Sequence, residues 1–323
     1  MFTYRPIQEA DLADFFTLVG RADHGLTSLP KDRALLEQRV ATSLESFART
    51  DLPRSQTGYL FVLVDDQRGG LAGCSGCYGQ VGGDVPYFAY RLDTLRIGAQ
   101  IGMPRDLRVL EVLELPAGPA MVGSLLLDPS ARGAGVGRFL SLARFLFMAD
   151  HRARFEDKVI AELRGWIDAE GGSPFWEAVG RHFFGMALPE ADLHTHTAPG
   201  FVQHLLPRQT LFVDMLPKAA QDVIGAVHPA TLPALDILKD EGFVLTDWLD
   251  PFEAGPVLAA DVGALRTVQS SRQHRAVLVT DGATMASGGG WMMVSNGGLQ
   301  DARTVLTAVY EVSDGAGGVD PDA

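Results

Sequence analysis

One loop carries the clearest chemistry in this chain of 323 residues. Arg132-x-x-Gly135-x-Gly137 lies between an apolar run, Met121 to Leu127 ending at Asp128-Pro129, and a strongly apolar stretch from Arg138 to about Ala153. A strand that runs through a glycine loop into a helix presents the first N–H groups of that helix without intrahelical partners. The helix dipole adds partial positive charge there, and glycine lets the backbone approach a phosphate closely. Arg132 adds a charge-assisted donor. No Gly-Lys-Ser/Thr follows, so the loop is not a Walker loop, and Gly133-x-Gly135-x-Gly137 lacks the dinucleotide spacing. A pyrophosphate-bearing ligand is the reading these residues favour. A glycine-rich helix start without a ligand is the alternative.

Other chemistry-bearing residues say less. Cys74-Ser-Gly-Cys77 has redox-pair spacing, but it sits in a Gly-rich hairpin without a helix start and without a second pair for zinc. A structural role is expected. His194-Thr-His196 reads as a loop pair, and no metal site is expected from it. The pairs Phe145, Phe147 and Phe183, Phe184 read as core.

The elements that must hold the loop follow from hydrophobic period. Tyr4 to Ile7 reads as a strand, followed by helices over 9–20 and 31–48. Tyr59 to Val64 pairs back with Leu71 to Val81 across a polar turn. Met121 to Leu127 is a buried strand and Val159 to Leu163 another. Helices are expected over 175–184, 219–227 and 231–241, with a strand beginning at Phe243. The stretch 287–290 and the tail from 314 read as flexible. No repeat period is present.

Composition sets outer bounds. Forty acidic side chains against 27 basic ones give a net charge of -13, which excludes nucleic acid as the main partner and argues against docking on anionic lipid. The segment from Ser130 to Lys158 is locally basic, with six cations against three acids, so a polyanionic cofactor remains compatible. Two cysteines exclude a disulfide scaffold. No apolar run approaches about 18 residues, and Met1 to Pro6 lead into Glu9 and Asp11 rather than an apolar stretch, so no signal peptide is expected. The expected compartment is the cytoplasm.

The strand–Arg-x-x-Gly-x-Gly–helix unit resembles the acyl-CoA pyrophosphate loop of GNAT-type N-acyltransferases. That resemblance implies that the preceding strand splays from its neighbour and offers backbone groups to the pantetheine arm and the thioester oxygen. Leu125 and Leu127 are the positions that would do so, and Arg132, Gly133, Gly135 and Gly137 would hold the phosphates.

Longer strings resemble one family more closely. They include Gly25-Leu-Thr-Ser-Leu-Pro30, Lys158-Val-Ile-Ala-Glu-Leu-Arg-Gly165, Ser173-Pro-Phe-Trp176, Gly180-Arg-His-Phe-Phe184, Val227-His-Pro-x-Thr-x-Pro-Ala234 and Glu241-Gly-Phe243. In order, from about residue 3 to about 272, they are similar to arginine N-succinyltransferase. The resemblance implies succinyl transfer from succinyl-CoA, a co-substrate and not a prosthetic group, to the α-amine of L-arginine or ornithine in arginine catabolism. It places the family's proton donor at His228 and a succinyl-CoA contact at Leu125. It implies an α/β fold: a GNAT-like, mixed, mostly antiparallel sheet with flanking helices, elaborated by a second α/β half. The expected divisions are 1–190 for the acyl-CoA half, 191–275 for the half with His228, and 276–323 for a Gly-rich end. A homo-oligomer, or an oligomer with a related subunit, is expected.

Such a reaction needs a neutral amine, a stabilised oxyanion and a protonated leaving sulfur. A histidine can take the ammonium proton and its imidazolium can protonate the sulfur. Strand N–H groups would face the oxyanion. Arg91, Arg164, Arg181 and His182 are candidates for the substrate carboxylates, and Glu162, Asp250 and Glu253 for the guanidinium. The family usually carries an acidic residue and a thiol where this chain has Met121 and Gly123. A non-catalytic subunit paired with an active homologue, or a transferase for another acyl-CoA or amine, therefore stays open.

Overall fold

The computed structural model describes residues 1–22, 28–198, 200–275 and 290–309. Twelve strands occur among them: β1 (Phe2–Pro6), β2 (Gly58–Asp65), β3 (Leu71–Tyr78), β4 (Gly82–Ile97), β5 (Arg105–Ala117), β6 (Ala120–Leu127), β7 (Lys158–Glu162), β8 (Leu211–Phe212), β9 (Val244–Leu249), β10 (Pro256–Asp261), β11 (Gly290–Ser295) and β12 (Thr304–Val309). They form one sheet in the order β11-β12-β1-β2-β3-β6-β7-β10-β9-β4-β5-β8. Every neighbouring pair is antiparallel except β6 and β7. The expected mixed, mostly antiparallel sheet with flanking helices is what forms.

The helices are α1 (Leu12–Gly20), α2 (Arg33–Ala48), α3 (Val136–Asp150), α4 (Arg181–Phe184), α5 (Leu188–Thr197), α6 (Phe201–Leu205), α7 (Lys218–Val223), α8 (Leu232–Glu241) and α9 (Arg266–Ser270). On one face of the sheet, Phe15, Leu18 and Val19 of α1 and Leu36 and Val40 of α2 pack on Leu60, Val62 and Cys74. On the other, α3 is buried along most of its length against Tyr4, Phe61, Cys77 and Val122. Asp32 starts α2 by accepting the Leu35 N–H, and Gly242 ends α8 with a positive φ of 104°.

The two cysteines lie three positions apart on β3, so one enters each core. Both are buried free thiols, and burial pushes the Cys74 thiol up to about 12. They are apolar filling, as expected. Phe184 is core, whereas Phe183 is 44% exposed.

A third core lies under the far half of the sheet. Tyr90 and Phe88 of β4 meet Phe175, Trp176 and Phe184, and Phe252 stacks on Trp176 at 5.4 Å between centroids. The expected divisions at residues 190 and 275 are not breaks in the sheet. β9 and β10, from beyond residue 190, sit between β7 and β4, and β12 pairs with β1. The β4–β5 hairpin and β10 to β12 carry no clean alternation, which is why the sequence pattern passes over them. Residues 287–289 and the tail from 314 lie outside the described residues. No described helix is long and apolar enough to cross a membrane.

Candidate active site

β6 and β7 begin as parallel partners and then separate. Ala120, Met121 and Val122 pair with Val159, Ile160 and Ala161, and no further pairs follow. On its other side β6 bulges: its partners on β3 jump from Gly76 opposite Gly123 to Cys74 opposite Leu126. Ser124 sits in the bulge with φ 53°, an uncommon value for a residue with a side chain. The split frees one edge of β6 at Leu125 and Leu127, as the acyl-CoA reading requires. The glycine loop follows, with positive φ at Gly133 (112°), Ala134 (45°) and Gly135 (78°), and Gly135 is the residue from which α3 starts.

The split opens into a cavity of about 1080 Å³. Leu125, Leu127, Arg132, Gly133, Gly135 and Gly137 line it, together with Glu162 and Arg164. Met121 and Gly123, where the chain departs from the family's usual residues, line it too. A Cβ added at Gly123 would meet only Tyr78, at 3.9 Å, so the glycine leaves open space.

One wall is basic. Arg132 lies exposed at the loop, Arg39 of α2 is half-buried beside the bulge, and Arg144 of α3 is buried there. Arg144, 2% exposed, donates from Nε to Ser141 O at 3.0 Å, from Nη2 to Ser141 Oγ at 2.8 Å and from Nη1 to Gly123 O at 3.4 Å. Burial lowers its pKa.

The facing wall is acidic and is assembled from Glu162 of β7, Asp192 of α5, and Asp250 and Glu253 of the β9–β10 turn. Burial pushes Glu162 up to about 7, with Asp250's charge adding to it and a 2.6 Å hydrogen bond from Tyr87 Oη opposing it. The Glu162 side chain is exposed along the cavity wall, where the surrounding protein and the Asp250 charge raise it. Asp192 is likewise raised to about 7 by burial, then by Asp250. Burial raises Asp250, although its Oδ1 accepts the N–H groups of Phe252 and Glu253 at 2.8 and 2.9 Å. Glu253 is 5% exposed, is raised well above the usual carboxylate range by burial and then by Asp250, and keeps Oε2 without a hydrogen-bond partner among the described residues. Four carboxylates are raised together on this wall, with the charge of Arg164 opposing the shift at Glu253.

Two glycines make that wall possible. A Cβ on Gly165 would lie 2.6 Å from Glu253 O, and one on Gly255 2.3 Å from Leu163 O. Only bare backbone lets the end of β7 cross the β9–β10 turn this closely. The same crossing carries His228, whose N–H donates to Arg164 O at 2.9 Å, while Gly225 N–H donates to Ala254 O at 2.8 Å. His228 precedes Ala230 and Thr231, which line the cavity, and its Nδ1 accepts the Ala230 N–H at 3.2 Å. A neutral ring bonded this way carries its proton on Nε2, the donating form.

Four expected residues do not line the cavity: His228, two residues before the lining Ala230, and three whose side chains lie elsewhere. Arg91 is on the outer surface, ion-paired with Glu111 at 2.5 Å. Arg181 pairs with Glu177 one turn away, and His182 is exposed beside it on α4. Strand and helix period turn these side chains outward; residue type alone does not reveal that. His194 and His196 lie on α5, not in a loop, and among the described residues no group of three or more His, Cys, Asp or Glu is placed to hold a metal.

The family model described as arginine N-succinyltransferase beta subunit matches residues 2–267. The chain belongs to the arginine N-succinyltransferase family. It is therefore an acyltransferase. An arginine N-succinyltransferase of Enterobacter sp. (strain 638) is 37% identical over 310 residues, covering 95% of this chain and 88% of that protein. One from Escherichia coli O6:K15:H31 is 36% identical over 308 residues with the same coverage. Arginine/ornithine succinyltransferase subunit AI from Pseudomonas aeruginosa superimposes with a TM-score of 0.83 at 32% identity, covering 98% of this chain and 91% of that one.

Within this family's site, sequence reasoning passed over Asp192, Tyr87 and Arg39. Asp192 lies in a stretch with weak helical pattern, and Tyr87 begins the unrecognised β4–β5 hairpin. Arg39 looks like any solvent-facing arginine of an amphipathic helix. Only the fold brings the three to one space.

Proposed function

We propose that this chain transfers succinyl from succinyl-CoA to the α-amine of L-arginine, with ornithine as a second acceptor. The observation that carries the reading is a single cavity with a phosphate-type loop and a freed strand edge on one wall and four raised carboxylates on the other. The loop and Arg132 take the CoA phosphates. The free edge at Leu125 and Leu127 holds the pantetheine arm and turns an N–H toward the thioester oxygen. Glu253, Asp250 and Asp192 take the guanidinium. Glu162, poised near 7 at the point where the strands part, accepts a proton from the α-ammonium. The amine then forms the new C–N bond as the C–S bond breaks, the second proton lost by the nitrogen passes to the departing thiolate, and the Nε2–H of His228 hydrogen-bonds that sulfur as its charge develops.

The names of the matching family model and of the Pseudomonas neighbour both speak of a subunit. We therefore place the chain in an oligomer, with copies of itself or with a related chain, and in the cytoplasm, where its two buried thiols stay reduced.

The test is turnover of the purified chain with succinyl-CoA or acetyl-CoA and a panel of amines, with thiol release followed. Succinyl-CoA with arginine is expected to be the best pair. Turnover only after a related chain is added would instead mark a non-catalytic subunit. A better pair of other chemistry would replace the substrate assignment.

A further inference from the structure

We propose that Arg39, standing on α2 against the bulge of β6, is the binding site for the distal carboxylate of the acyl group. The inference rests on the acyl transfer proposed above and says which part of the acyl donor is read, and by what.

Arg39 lines the cavity, and its guanidinium lies 5.4 Å over the Tyr78 ring. Nη2 donates to Tyr78 Oη and approaches Ser124 Oγ at 3.4 Å, while the two hydroxyls lie 3.1 Å apart. No described carboxylate pairs with it, whereas Arg5, Arg54, Arg138 and Arg152 each have one. A half-buried guanidinium held only by neutral hydroxyls is an unfavourable arrangement until an anion completes it. Burial accordingly lowers its pKa to about 10. Arg144, the buried arginine at the bulge, directs all three of its nitrogens to Ser141 and Gly123. It ties α3 to the bulge and leaves Arg39 as the arginine beside Ser124 that no described carboxylate pairs with.

The spacing fits a short diacid. Ser124 directly precedes Leu125, whose backbone is assigned to the thioester. In a four-carbon diacyl chain the far carboxylate carbon lies roughly 4 Å from the thioester carbonyl carbon, set by C–C bonds of about 1.5 Å. The Arg39 guanidinium, 3.4 Å from Ser124 Oγ, stands one residue along β6 from Leu125. A monocarboxylic acyl group of equal length would leave the guanidinium desolvated and unmatched, the situation in which polar sites discriminate strongly.

The test measures kcat/KM for succinyl-CoA and for butyryl-CoA, which has a methyl in place of the carboxylate, with the amine held fixed. The wild-type chain is expected to favour succinyl-CoA, and Arg39→Gln to lower the succinyl/butyryl ratio about a hundredfold. An unchanged ratio, or an equal fall for both donors, overturns the assignment and leaves Arg39 a structural residue. A wild-type chain with no preference for succinyl-CoA overturns the donor reading itself, a separate result visible before any variant is made. If Arg39→Gln lacks a cooperative unfolding transition, Tyr78→Phe removes the hydroxyl that orients the guanidinium. The ratio then falls about fivefold; an unchanged ratio with that variant also overturns the proposal.

Discussion

The two walls of the cavity are built by different means. The basic wall comes largely from one stretch of chain, β6, the glycine loop and α3, with α2 laid across it. The acidic wall gathers residues 162, 192, 250 and 253 from three separate elements. Arg132 sits where backbone N–H groups already favour an anion. The four acids sit where protein repels their charge, and they share the space until a cation arrives. One wall is ready for its ligand, and the other is held in a state the ligand relieves.

The largest expected effect falls beside the cavity, at His228, two residues before the lining Ala230. His228→Ala should lower turnover roughly a hundredfold or more while acyl-CoA affinity changes little. Stopped assays of thiol release with a separate binding titration check this. Near-wild-type turnover would remove His228 from the chemistry and leave it a cap on the turn at Ala230.

Next comes the acidic wall. Glu253→Gln keeps the shape and removes the charge that a guanidinium would draw out of the buried carboxyl. KM for arginine should rise about tenfold to a hundredfold, with KM for succinyl-CoA unmoved. Arginine binding near pH 7 should also release protons, because Glu253 is held protonated well above the usual carboxylate range. Calorimetry in buffers of different ionisation enthalpy reads that release. Binding without proton release would show that the guanidinium goes elsewhere.

Glu162 separates the walls by pH. Its carboxyl is raised to about 7, so kcat should climb as pH rises through about 7, and Glu162→Gln should lower kcat and flatten that limb. Stability runs the other way. The unfolded chain releases this proton near pH 4.3, but the folded one holds it to about 7. Between those values the unfolded state binds fewer protons, so the ligand-free protein loses stability as pH rises. Glu162→Gln should reduce that slope, with the raised Asp192, Asp250 and Glu253 supplying the rest, as thermal unfolding at several pH values would record.

The difference between the walls also governs how much could be read in advance. Glycine spacing, an apolar strand and an apolar helix are local features, and the residues they and the family resemblance single out, Leu125, Leu127 and the loop, line the cavity. The ordered strings placed the family. The acidic wall depends on Gly165 and Gly255 letting two distant backbones cross, a fact of tertiary packing that no window of sequence contains. Glu162, Asp250 and Glu253 were singled out for chemistry alone, and Asp192 was missed because α5 has little apolar asymmetry. The broad sheet was legible at β1 to β3 and β6 to β7. Its outer strands were not, because β4 and β5 alternate poorly over lengths of 16 and 13 residues.

A smaller effect is expected on the basic wall. Arg132→Ala removes one exposed donor from a loop whose N–H groups remain. KM for the acyl-CoA should rise about tenfold or less, with arginine KM constant. An unchanged acyl-CoA KM would leave the phosphates to the backbone alone.

The smallest effect tests whether charge matters by type or by place. Arg91 was a candidate on residue type, yet it lies on the outer face of β4 against Glu111 and lines neither wall. Such exposed pairs contribute little because solvent screens them and two long side chains must be ordered to form them. Arg91→Ala should therefore leave kcat and both KM values within about twofold of wild type. A marked rise in either KM would mean that the surface around β4 reaches the substrates in the working assembly, and the division into two walls would then need a third.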